Sequence, residues 1–217
     1  MLIIAACVVV FLYQVNLPRP LAETFVFEYG AIPSVIFGSA ALPAEAMAVP
    51  AMMTLLTSMF LHGGWMHLIG NMLYLWVFGN NIEDVMGHAR FLLFYCLCGA
   101  IAALSHAVTD AASQIPMVGA SGAISAVLGA YLLLFPRAHV LVLIPGIAMT
   151  RVPAGIVLGM WFLTQLLSGG MSMGAKGGGV AFFAHIGGFV ARMVLIGVFK
   201  RQDVRFFSPG HARRSNG

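Results

Sequence analysis

The sequence predicts an all-α polytopic membrane protein, a six-transmembrane-helix bundle with a long membrane-associated first loop. Three observations predict it. The 217 residues are 60% hydrophobic and only 8% charged, with a mean hydropathy of +0.95, whereas soluble domains run at about 25% charged. Apolar stretches approaching the ~20 residues that cross a bilayer recur along the chain. There are six, at about 1–15, 65–82, 91–109, 117–135, 153–170 and 180–199. The basic residues are sorted between the loops. With a cytoplasmic N-terminus, the inner segments hold Arg90, Arg137, Arg151, Lys200, Arg201, Arg205, Arg213 and Arg214, and the outer loops only Arg19 and Lys176. That is the positive-inside pattern, so the net charge of +4 reports topology. No basic patch interleaved with aromatics points to nucleic acid.

The elements follow in order. Stretch 1–15 is short because the chain starts abruptly inside it, and it lacks the basic n-region and cleavage site of a signal peptide. The loop from Asn16 to Gly64 contains Pro18, Pro20, Pro33, Pro43 and Pro50, the acids Glu23, Glu28 and Glu45, and apolar runs at 24–27 and 52–61 too short to span. It reads as an amphipathic, membrane-lying loop on the outer side. Span four runs from Met117 to Phe135 and is closed by Pro136. The glycine-rich segment from Gly169 to Gly179 precedes span six and reads equally as a gate or a flexible connector. Cys7, Cys96 and Cys98 all fall in spans, where packing is the expected role. The whole chain, 1–217, reads as one membrane domain, with a core at about 50–200 and a basic cytoplasmic tail at 201–217.

Polar residues at membrane depth are costly and usually functional. Ser121 lies between Gly119 and Gly122, just inside span four. A bare membrane serine is most often helix glue, and Ser125 and Gly129 continue a small-residue face below it. His185 lies a few residues into span six, followed by Gly188. A lone buried histidine is most often a hydrogen-bonded core residue. Spans four and six run in the same direction, however, so Ser121 and His185 meet at one depth if the helices pack, and Gly122 and Gly188 permit the approach. A serine becomes a nucleophile when a base takes its proton. No Asp or Glu lies at comparable depth, so the pair would act as a dyad. The oxyanion donors available are His67 and Asn71, four apart on one face of span two, and the Ser121 backbone N–H. His62, His67 and Asn71 have no carboxylate or thiolate nearby, so zinc is weakly supported.

These residues resemble the rhomboid family of intramembrane serine proteases, over nearly the whole chain from about Thr57. The resemblance rests on Gly119-x-Ser121-Gly122, Ala184-His185-x-x-Gly188, His67-x-x-x-Asn71 and Glu83-x-x-x-Gly87-x-x-Arg90, in order on a six-span pattern. It implies a six-helix bundle with Ser121 as nucleophile, His185 as base and His67 and Asn71 stabilising the oxyanion. It implies cleavage of transmembrane substrate proteins near the membrane surface, with a small residue before the scissile bond and helix breakers beyond it. No metal, cofactor or ATP is implied. The Glu83 and Arg90 pattern reads as structural, fixing the cytoplasmic turn. The six-span core without a seventh helix is similar to bacterial members, which implies the plasma or inner membrane with both termini cytoplasmic. Two positions depart from the family. Ser125 stands where some members place a tyrosine against the catalytic histidine, so another group must hold the His185 ring. Arg192 stands where a small residue is usual, about 10 Å deeper than His185, and is expected to weaken the fold or lower activity. A catalytically weak or inactive relative that binds transmembrane clients is the alternative reading. A polar transport pathway is a third, opposed by the apolar inner halves of the spans.

Overall fold

In the computed structural model, residues 1–43, 48–144, 148–172 and 182–208 are described, without the side chains of 143–144, 148, 165–172, 182–184 and 192. Glu45, Lys176, Arg213, Arg214, most of the glycine-rich segment and the Arg192 side chain therefore lie outside the described residues.

Each apolar stretch anticipated from the sequence overlaps helix among the described residues. Helix α1 (Leu2–Asn16) leads into the first loop, which contains α2 (Arg19–Tyr29), α3 (Pro33–Ile36) and α4 (Thr54–Thr57), the last flanked by 3-10 turns. Proline sits in the first turn of α2 and of α3, where its missing N–H breaks no helical bond. Helix α5 (Trp65–Tyr74) continues through a π-helical stretch, Leu75–Gly79, into α6 (Asn80–Met86). Gly87 turns the chain into α7 (His88–Thr109), followed by α8 (Ser121–Leu134). A hairpin of β1 (His139–Ile144) and β2 (Ala148–Pro153) leads to α9 (Ala154–Ser172) and α10 (Phe182–Phe199). Among the described residues, α7 has the length and apolarity of a membrane span, 22 residues with mean hydropathy 2.0.

Helix α10 packs chiefly against α7 and α8. Phe94, Tyr95 and Cys98 of α7, Ala123, Val127 and Leu134 of α8, and Ile196 of α10 are buried together. Cys7 and Cys98 are buried and Cys96 half-buried, all three as free thiols.

Two local departures from the expected pattern matter. Span four does not begin as helix at Met117. Ala31 and Met117 exchange backbone hydrogen bonds of 3.0 and 2.8 Å, and the Gly119 N–H donates to the Ser58 carbonyl at 2.9 Å. These bonds hold 117–119 out of helix, so α8 starts at Ser121 and its 14 residues reach about 21 Å, short of the ~30 Å hydrocarbon core. The segment between spans four and five is a β-hairpin rather than a plain loop, paired from His139↔Pro153 to Ile144↔Ala148.

The bundle has two distinct ends. At one, the first loop is joined to the segment before α8 by the Ala31–Met117 and Gly119–Ser58 bonds, to itself by Thr57 Oγ1, which donates to the Tyr29 carbonyl at 2.7 Å, and to α1 by Gln14 Nε2, which donates to the His62 carbonyl at 3.0 Å. At the other, the Arg201 N–H donates to the Val85 carbonyl at 3.1 Å, and the N–H groups of Phe207 and Ser208 donate to Leu133 and Leu134 at 2.9 and 2.8 Å. The first eight residues of the expected tail, 201–208, are thus tied back to the ends of α6 and α8.

Candidate active site

Ser121 is the first residue of α8. The first helical bond runs from the Ile124 N–H to the Ala120 carbonyl, 2.9 Å, so the N–H groups of Ser121, Gly122 and Ala123 have no carbonyl one turn back within the helix. Ser121 therefore sits at the positive end of the helix dipole, with its side chain half-exposed.

A glycine contact joins the helices that carry Ser121 and His185. A Cβ on Gly188 would overlap the Gly122 carbonyl oxygen and lie 2.5 Å from Ser125 Oγ, so α8 and α10 touch backbone to backbone there. Both helices run toward the basic end. From that contact Ser121 is one residue back along α8, and His185 three residues, about 4.5 Å, back along α10. The neighbouring Gly187 faces α7, where a Cβ would come within 2.5 Å of Ser105 Cβ and Oγ. The His185–Gly188 segment is thereby wedged between two helices, and His185 is buried.

Trp161 of α9 packs on the His185 imidazole, ring centroids 5.7 Å apart and tilted by 42°. This is a ring contact of the kind that Ser125 cannot supply; the Ser125 hydroxyl instead donates to the Gly122 carbonyl at 2.6 Å. The sequence gives no sign of Trp161, because no local spacing links it to His185.

The oxyanion candidates are also positioned. The Gly63 N–H donates to His67 Nδ1 at 3.2 Å, so the neutral ring carries its proton on Nε2. That edge faces Gly119: a Cβ there would lie 2.6 Å from His67 Cε1 and 2.7 Å from Nε2. Gly119 has φ +122, a backbone conformation that also disfavours any side chain. Asn71 is buried and donates through Nδ2 to the His67 carbonyl at 3.0 Å, using one of its two amide hydrogens.

Next to His67 lies His62, wholly buried. Its ring meets His67 and Phe11 edge-on, at 5.2 and 6.5 Å between centroids. Among the described residues neither ring nitrogen has a hydrogen-bond partner. His62 lies in the turn ahead of α5, and burial, with His67 beside it, pushes its pKa down to about 4. At the far end Glu83 pairs with His88 Nδ1 at 2.7 Å, while Arg90 is exposed. Burial pushes the Glu83 carboxyl up, but the His88 and N-terminal amine hydrogen bonds outweigh it and hold it below its ordinary range.

Comparison with known proteins bears on the same residues. The model of the Rhomboid domain matches residues 50–202. Rhomboid protease GluP of Bacillus subtilis is 44% identical over 78 residues, 36% of this chain and 15% of that protein. RHOMBOID-like protein 5 of Arabidopsis thaliana is 37% identical over 78 residues, 36% and 25% respectively. Rhomboid protein 1, mitochondrial, of Saccharomyces cerevisiae is 29% identical over 144 residues, 64% and 40%. The chain thus spans well under half the length of each of these relatives.

Proposed function

Because this chain belongs to the rhomboid family of polytopic helical membrane proteins, we propose that it is an intramembrane serine endopeptidase acting on transmembrane substrate proteins through a Ser121–His185 dyad. The observation that supports the reading is the contact of Gly188 on Gly122, next to Ser121 on α8 and three residues beyond His185 on α10.

In this reading, neutral His185 takes the proton from Ser121 Oγ as the oxygen attacks the scissile carbonyl carbon. The carbonyl π electrons move to oxygen, and the oxyanion accepts hydrogen bonds from His67 Nε2–H, the second Asn71 N–H and the Ser121 backbone N–H. Each such donor is worth roughly 3–4 kcal/mol in the transition state. His185 then protonates the leaving amine as the C–N bond breaks, and an acyl-Ser121 ester remains. Water attacks the ester, giving its proton to His185; the acyl–Oγ bond then breaks, His185 returns the proton to Ser121 Oγ, and the carboxylic acid product leaves. Trp161 holds the imidazole during both transfers, and Gly119 leaves room for His67.

The six-span topology, with both termini on the cytoplasmic side of a bacterial plasma or inner membrane, is part of the same proposal. It places Ser121, at the start of the short α8, near the outer surface.

The test is cleavage of a transmembrane reporter in liposomes by the wild type, Ser121→Ala and His185→Ala, with fluorophosphonate labelling as the second readout. Loss of both signals in both variants supports the dyad. Cleavage that survives Ser121→Ala overturns it. A folded wild type that neither cleaves nor labels favours the client-binding alternative.

A further inference from the structure

The basic end of the molecule exposes apolar groups that the bundle does not cover. Alternation puts His139, Leu141, Met149 and Arg151 on one face of the hairpin, with Leu141 directly opposite Arg151. All four are exposed, Leu141 by 59% and Met149 by 62%, while Val140 on the other face packs against the core. At the C-terminal end of α8, which leads into the hairpin, Phe206 and Phe207 are exposed by 40% and 63%. Phe207 has φ 58, a left-handed conformation that non-glycine residues rarely adopt, fixed by its N–H bond to Leu133. Arg137, Arg151 and Arg205 are exposed in the same region. Among the described residues no carboxylate pairs with any of them: Asp203 lies against Arg201, and Glu83 against His88.

We propose that the hairpin face and the Phe206–Phe207 corner insert into the interfacial zone of the adjoining leaflet, where Arg137, Arg151 and Arg205 bind anionic lipid headgroups. Three features favour lipid as the occupant. These segments begin or end within a few residues of Leu134, Ala154 and Phe199, the ends of membrane helices. The exposed apolar stripe of α9, Ile156, Met160 and Leu163, begins three residues after β2 ends. Exposed aromatic and aliphatic groups mixed with arginine suit an interface with anionic headgroups. The proposal needs only membership of the membrane family and is independent of the proteolytic reading.

The test uses the whole protein in nanodiscs of phosphatidylcholine with and without phosphatidylglycerol, followed by detergent extraction and native mass spectrometry. The wild type is expected to retain phosphatidylglycerol in preference to phosphatidylcholine. Each juxtamembrane arginine contributes about 1 kcal/mol, about five-fold, so Arg137→Gln combined with Arg151→Gln should lower that retention by about 25-fold at an unchanged melting temperature. In Leu141→Trp, brominated lipid should quench fluorescence beyond the wild-type level; this second readout decides the matter if the arginine variant does not fold. Equal retention of the two lipids, retention untouched by the arginine changes, or no added quenching at position 141 overturns the proposal. Displacement of phosphatidylglycerol by soluble glycerol phosphate also overturns it, by identifying a free-phosphate site.

Discussion

Replacing Gly119 by alanine separates two effects that the site combines. The new Cβ would sit 2.6 Å from His67 Cε1 and 2.7 Å from Nε2. An ordinary contact begins near 3.4 Å, so the ring has to retreat by 3.4 − 2.6, about 0.8 Å. It cannot do so freely, because the Gly63 N–H holds Nδ1 at 3.2 Å. Moving Nε2–H by that amount takes it out of hydrogen-bond range of an oxyanion at Ser121, and losing one such donor costs about 10²–10³-fold in kcat. Backbone strain at φ +122 adds about 1–3 kcal/mol of lost stability. Gly38 supplies the control: it has φ +73, and a Cβ added there would meet nothing within 4 Å, so Gly38→Ala incurs strain without a clash. Reporter cleavage and thermal melting in the same liposomes should show both variants destabilised and only Gly119→Ala slowed in kcat, with KM little changed. Equal turnover in the two variants would refute the assignment of His67 to the oxyanion.

Three further outcomes are expected. Trp161→Ala should lower kcat by about 2–10-fold, the worth of one aromatic pair, with Trp161→Phe restoring most of it; an unchanged kcat in Trp161→Ala would remove the residue from the site. His62, held near pKa 4 when folded against about 6.5 when unfolded, takes up a proton in the unfolded chain first. Its effect on stability should be absent above about pH 6.5 and grow as the pH falls toward 4, to at most about 3 kcal/mol, and melting curves of His62→Gln should show a flatter decline over that window. Arg192→Gly should raise the melting temperature, since an arginine at mid-span costs about 2.5–3.5 kcal/mol; melting temperature and turnover both at wild-type values would remove Arg192 as a liability.

Hydropathy makes the helices legible, because apolar length is a property of local sequence. It cannot locate the start of α8. Met117 and Val118 are as apolar as the helix that follows, and what keeps them out of helix is pairing with Ala31, 86 positions earlier. The hairpin does have a local signal, the alternating β-branched Val140, Val142 and Ile144 of β1 and Thr150 and Val152 of β2, which apolar length alone does not register. Ser121, His185, His67 and Asn71 are legible as polar groups in apolar surroundings. Trp161 is not, since an aromatic in a membrane helix is ordinary until a partner ring is found 24 positions away. The partner of Glu83 is hidden for a similar reason: His88, nearer along the chain than Arg90, takes the carboxylate.

The pairing of Ala31 with Met117 gives the site a mechanical property. The register of the serine depends on a strand-like clasp whose halves are separated by α3 to α7, so closing it costs the entropy of a long loop. The contacts that repay that cost form only when the bundle is assembled. Segments 29–34, 57–62 and 113–121 should therefore open and close as one cooperative unit. In hydrogen exchange, the amides of Ala31, Met117 and Gly119 should share one protection factor, and an inhibitor bonded to Ser121 should raise all three together.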